Sequence, residues 1–265
     1  MRLAEGGGKM LSTLPNMGSS GFLVTLDMAL RGGAIALFLV IALATLRRGH
    51  GRPAAWLGAL LAVGAAAYAI CSSPGPHGDP PLWFAPVLVL CTGNAAVFWL
   101  FARALFDDSF RLKPWHMLVW LGLVIWPVAH LFGAGITTHW LAGAMVRAAV
   151  IALALLALAQ TVHGWASDLV EGRRRLRLFI LVAVALHIAV TVTVELVVGH
   201  DEVPMALHVL NSAALAAIAA IIAIVLLQAD LDSVLPAPAI AAAAPPEVTP
   251  VKDEPVDPGL LAALE

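Results

Sequence analysis

The side chains able to do chemistry in this chain are the ionisable and amide groups set inside long apolar runs. His139, Gly143 and Arg147 recur every four residues and so share one face of a helix. His187, Thr191 and Glu195 repeat the same register further on, His208 and Asn211 follow three residues apart, and Asn94 stands alone. Asp27 and Arg31 form a further four-residue pair. An ionisable group at mid-bilayer costs ~2.5 to 3.5 kcal/mol on insertion scales, so each is expected to face a partner or a wet cavity. Counted along helices from their outer ends, Arg147 and Glu195 lie about 12 Å and about 5 Å deep, near enough for long side chains to meet. If the helices bundle, the whole set converges on one outward-facing polar pocket. Such a set serves as a structural ion pair that fixes helix register, or as a site for a small polar or anionic ligand anchored on Arg147. Protonation of His139, His187 or His208 offers a third use.

Catalytic and cofactor readings find less support. The only lysines are Lys9, Lys113 and Lys252, so no apolar run can carry a retinal Schiff base. There is no HExxH, no CxxC and no Walker loop. Gly18, Ser19, Ser20 and Gly21 spell GxSG, but in a lead-in segment without a positioned base. Asp107 and Asp108 have no metal-binding companions, and the outer histidines His77, His130 and His200 form no three- or four-residue pair that would ligate a metal. The sequence therefore predicts no enzyme, no catalytic residue, no metal and no cofactor.

The elements that must position these groups are membrane helices. Of the chain's 265 residues, 61% are hydrophobic and 12% charged, against roughly 25% charged in a soluble domain; the mean hydropathy is +0.91. Apolar runs occupy 22–46, 54–71, 82–105, 115–132, 138–160, 176–198 and 205–229. Each is close to the ~20 residues that cross a ~30 Å hydrocarbon layer, where backbone groups must be satisfied internally and helices result. The prediction is an all-α, polytopic seven-transmembrane-helix bundle over 22–229 in contact with the lipid bilayer.

Charge sorting sets its orientation. Nine of the 15 lysines and arginines fall in three connectors: Arg47, Arg48 and Arg52; Arg111 and Lys113; and Arg173, Arg174, Arg175 and Arg177. The alternating connectors 72–81, 133–137 and 199–204 have none. Basic residues stay cytoplasmic, which places the amino terminus outside and the carboxyl terminus inside. Residues 1–21 are expected to be a flexible outer segment without the apolar core of a signal peptide. Cys71 and Cys91 are expected about 13 Å apart in depth, too far for a disulfide. Small-residue faces at Gly58, Ala62 and Ala66 and at Ala213, Ala217 and Ala220 suit close helix approach, within one chain or in a homodimer.

After residue 229 the composition changes to a Pro/Ala-rich stretch that cannot bury a core. Residues 230–265 are predicted to be a disordered cytoplasmic linker, whose portion 236–259 reaches roughly 70 Å as polyproline II. In the final DPGLLAALE, Asp257 and Pro258 suit the start of a new helix, which reads as the run-in to a domain beyond residue 265.

Two further segments carry mixed charge beside aromatic rings. In GNAAVFWLFARALFDDSFRLKPWH (93–116), Arg103, Asp107, Asp108 and Arg111 could form an ion-paired cytoplasmic patch on which a domain docks, or simply anchor the helix end at the interface. In SDLVEGRRRLR (167–177), Arg173, Arg174 and Arg175 mark topology and attract anionic lipid at about 1 kcal/mol per basic residue. Together with the DPGLLAALE end, these segments resemble the membrane-embedded amino-terminal half of bacterial AraC-type transcriptional regulators. The resemblance implies a transmembrane sensory domain in a bacterial inner membrane, joined by a variable linker to a cytoplasmic helix-turn-helix domain of the same chain, with no nucleic-acid contact by the membrane region itself. The competing expectation is a small-molecule transporter or permease-like protein with Arg147 and Glu195 lining its path.

Overall fold

The computed structural model describes residues 16–49, 51–74, 81–107, 110–132, 139–164, 171–199 and 203–228. Within them are seven α-helices: α1 Asn16–Arg48, α2 Pro53–Cys71, α3 Ala85–Phe106, α4 Pro114–Leu131, α5 His139–Gly164, α6 Glu171–Val198 and α7 Met205–Gln228, with a single 3₁₀ turn, Leu82–Phe84, leading into α3. Every one of the seven is long and apolar enough to cross a membrane, and the protein is a multi-pass membrane protein.

Local chemistry sets the helix ends. Pro53 and Pro114 open α2 and α4 within the first two helical positions, where a missing N–H costs nothing. Gly51 turns the chain between α1 and α2 at φ 80°, and Gly199 closes α6 at φ 87° while its N–H still reaches the Glu195 carbonyl at 3.1 Å; both need the left-handed region that glycine tolerates. Two boundaries depart from the hydropathy pattern. α1 begins at Asn16, so residues 16–21, GxSG included, are helical and not a loose lead-in. α6 begins at Glu171, so Arg173, Arg174, Arg175 and Arg177 occupy its first turns and not a connector. Hydropathy marks where lipid begins, whereas helix propensity, which is high for arginine, carries the backbone helix beyond that level.

Six helices form a ring in the order α1, α2, α3, α5, α6, α7, and α4 lies outside it against α3. The closest associations are α1 with α7, α2 with α3, and α1 with α2; α6 and α7 touch only slightly. Alanine makes the close pairs possible. Ala34, Ala42, Ala59, Ala62, Ala66 and Ala69 are buried where α1, α2 and α7 meet, with Leu215 and Ala219 from α7. A second core surrounds α3, whose residues Ala95 to Leu100 are all buried. The small-residue face of α2 is thus used inside the chain, with Gly58 turned to the Phe101 ring, while on α7 the packed residues are Ser212, Leu215 and Ala219 and Ala217 faces outward. Large apolar side chains such as Val40, Leu118, Leu155, Leu186 and Leu210 cover the outside, as a lipid-contacting surface requires.

The two ends of the bundle differ in charge. The basic end, where α1 meets α2, α3 meets α4 and α5 leads toward α6, carries Arg47, Arg52, Arg111 and Lys113. The opposite end is the far end.

Candidate functional site

The ring, together with α4 beside it, lines a cavity of about 680 Å³ to which all seven helices contribute, within the ~300 to 1,000 Å³ of ordinary small-molecule sites. Its two halves differ. Toward the basic end the wall is apolar, made by Phe38, Ile41, Leu61, Phe101, Ile222 and Leu226, and the hydroxyl of Thr45 is already committed to the Ile41 carbonyl. At mid-depth and toward the far end lie Asn94, His187, Thr191, Tyr68, Glu195 and Arg147.

Arg147 of α5 and Glu195 of α6 face each other there. Nε of Arg147 lies 3.9 Å from Oε2 of Glu195, and both side chains remain about one-third exposed, at 34% and 30%. The Arg147 guanidinium lies back along its own helix over Gly143, one turn earlier on α5, where an added Cβ would make ordinary contact with it at 3.5 Å. The separation exceeds a hydrogen bond; the two ions are neighbours in a shared space. On the same face of α6, His187 meets the Tyr68 ring edge-on at 6.0 Å, and its Nε2 is buried with no hydrogen-bond partner among the described residues. Thr191 between them donates to the His187 carbonyl at 2.9 Å.

Asn94 has a different job. Its side chain packs directly on the backbone of Gly64, where any Cβ would collide with it, so Asn94 and Gly64 together set how closely α3 approaches α2. Gly93 receives the Trp120 indole in the same manner and sets α4 against α3.

A line of polar contacts runs from this cavity to α1. The Tyr68 hydroxyl donates to Oδ1 of Asn211 at 3.4 Å, Nδ2 of Asn211 donates to Ser72 at 3.4 Å, and Arg31 donates to Ser72 at 2.7 Å and to the Ala69 carbonyl at 2.8 Å. Arg31 closes on Asp27 at 2.6 Å with both side chains buried. Asp27 and Arg31 therefore do not line the cavity, contrary to the expectation from their depth. They pin α1 to the end of α2, a role read from the 38-residue separation between Arg31 and Ala69. His208 and Asn211 lie in a smaller space of about 110 Å³ between α6 and α7, beside Ser72, Tyr68, His187 and Glu195.

Cys71 and Cys91 depart furthest from expectation. Both are free thiols and lie near each other; Cys71 reaches the Val87 carbonyl at 3.9 Å. The 13 Å offset inferred from the sequence assumed that α2 ends and the third span begins at one level. The 3₁₀ turn and first turns of α3 instead rise beyond the end of α2, which brings Cys91 level with Cys71.

At the basic end, Arg103 lies over the Trp99 ring at 5.5 Å and the Phe110 ring at 5.6 Å. His116, buried at the start of α4, stacks near Trp115 at 4.0 Å and Phe110 at 5.6 Å, and its Nδ1 accepts the Lys113 N–H at 2.9 Å. The aromatic and basic residues of 93–116 thus clamp Phe110 and Lys113 between the end of α3 and the start of α4. Asp107 accepts the Phe110 N–H at 3.0 Å within that clamp, and Arg111 is exposed. Asp108 lies outside the described residues, as do the side chains of His139, Arg173, Arg174 and Arg175, whose backbones belong to α5 and α6. So too do residues 1–15 and the tail from 229.

Sequence reasoning missed Tyr68, Ser72 and Cys91 as neighbours of the polar group. One signal was available for the first: Tyr68 is the single tyrosine of the chain, set in an alanine-rich helix. Comparison of the chain with family models, curated proteins and solved structures gives no match.

Proposed function

We propose that the seven-helix unit is the sensory half of a membrane-tethered transcriptional regulator of AraC type, and that its signal is a molecule held in the interhelical cavity. The observation in its favour is the cavity itself, walled by all seven helices and furnished with Arg147, Glu195, His187 and Thr191. An occupant would touch α3, which leads toward the clamped residues 110–113 before α4, and α7, which leads into the tail. A ligand with unequal affinity for two packings of these helices shifts their balance and so passes a signal along both routes. On this reading the basic connectors lie in the cytoplasm of a bacterial cell, the amino terminus lies outside the inner membrane, and a helix-turn-helix domain carried beyond the tail does all the DNA reading. Arg147 and Glu195 act in recognition, not in proton transfer.

The test has two arms. Green fluorescent protein or alkaline phosphatase fused after Glu265 should report a cytoplasmic end, and reading the gene past that codon should give a helix-turn-helix domain. Phosphatase activity at the fusion, or a stop codon with no such domain encoded alongside, overturns the regulator reading. Substrate flux in proteoliposomes that is lost in Arg147→Ala supports a carrier instead.

A further inference from the structure

The cavity continues sideways. The smaller space between α6 and α7 shares Tyr68, His187, Thr191 and Glu195 with it, so the two meet at the polar group. α6 and α7 are the neighbouring helices of the ring least in contact. The residues flanking this seam, Val190 and Leu210, also line the smaller space and are 51% and 63% exposed on the lipid-facing surface. The seam therefore opens toward the acyl chains of the bilayer and not only toward water.

The shape of the main cavity matches what such an opening would deliver. Along α6 its lining runs from Ile180 to Glu195, about 22 Å at helical rise. Its apolar half would hold a hydrocarbon chain, and its polar groups sit together at the other end. Arg147 and Glu195 already balance each other, so a head group with net charge would leave one of them opposed by a like charge. An uncharged head that accepts from Arg147 and donates to Glu195 can insert across their 3.9 Å separation, with the unpartnered Nε2 of His187 on the same face.

We propose that the cavity binds a single-chain amphiphile with an overall uncharged, hydrogen-bonding head group, taken from the bilayer through the α6–α7 seam. The head lies between Arg147 and Glu195 and the chain runs beside Val184 and Ile222 toward Leu226. This rests on the cavity being the signal site. It replaces the small polar or anionic ligand expected from sequence by one whose greater part is apolar.

The probe is a myristoyl amide bearing a diazirine near the end of its chain, added to the intact protein in lipid nanodiscs and photolysed. Saturable labelling of Val184, Ile218 or Ile222 is expected, displaced by unlabelled myristoyl amide, at least about tenfold less well by myristate, and not by acetamide. Val184→Trp should abolish this labelling with helical content unchanged; Ile222→Phe serves if that variant does not fold. Ala214→Trp, which fills the smaller space, should slow labelling about tenfold without changing its final extent. Non-saturable labelling confined to lipid-facing Leu186 and Leu196 overturns the proposal. Displacement by acetamide as well as by the amphiphile overturns the chain requirement alone and leaves the cavity a signal site for a small polar molecule. Neither outcome bears on the fusion and reading-frame tests, which decide the regulator assignment separately.

Discussion

Arg147 and Glu195, on different helices and 48 positions apart in sequence, stand 3.9 Å from each other inside a cavity whose walls are otherwise mostly carbon. Each is the other's nearest opposite charge among the described ion pairs, yet neither is fully withdrawn from the open space. The pair is thus a partly screened one, worth less than a buried bridge. Replacing either residue singly by leucine should destabilise the protein, while the double replacement should fall short of the sum by about 0.5 to 1 kcal/mol. Thermal unfolding of the purified variants in detergent measures this, and strictly additive losses would show that the two do not interact.

Asp27 and Arg31 should behave differently because both are buried. Asp27→Ala leaves a guanidinium without its carboxylate and should cost about 3 to 5 kcal/mol. Asp27→Leu combined with Arg31→Met removes both charges and should recover most of that loss. If the combined variant is no better than Asp27→Ala, the hydrogen bonds from Arg31 to Ala69 and Ser72 outweigh the ion pair.

The thiols of Cys71 and Cys91 are neighbours across α2 and α3, with Cys71 on the Val87 carbonyl one turn before Cys91. Treatment with diamide should join them within one chain, each losing its hydrogen, so that both become resistant to maleimide until a reductant is added. Cys91→Ser should leave Cys71 reactive under the same treatment. Independent maleimide labelling of both cysteines after oxidation would place α2 and α3 in a different relative register.

Gly64→Ala puts a methyl group into the Asn94 side chain and should cost about 1 to 3 kcal/mol through overpacking. Asn94→Ala in the same chain clears the collision, so the double variant should be the more stable of the two. Equal stability of Gly64→Ala and its parent would mean that α2 and α3 separate more easily than their close packing indicates.

Much of this architecture was legible beforehand because lipid imposes a simple rule. The seven apolar runs map onto seven helices, and the four-residue spacing around Arg147 in one run and Glu195 in another already put each on a defined face within reach of the other. Vertical offsets between helices were not legible. Nothing in the residues near 82 signals that the turn before α3 rises beyond the end of α2, and so the closeness of Cys71 to the first turns of α3 stayed hidden. Lateral placement was equally opaque: Asp27 and Arg31 share a depth with the cavity, but α1 turns that face toward Ser72. The division of the cavity into polar and apolar halves also could not be read, because it depends on which faces of all seven helices meet.

α4 is the shortest of the seven helices, with 18 residues, or about 27 Å against a hydrocarbon layer of ~30 Å. It stands outside the ring and packs mainly on α3 through Trp120 and the Arg103–Trp99–His116 clamp. A thickened bilayer must therefore thin locally around α4 or pull it along its axis, and that load falls on the corner joining α3 to α4. The same corner borders the cavity through Phe101, so changes in membrane thickness and in cavity occupancy reach one mechanical point.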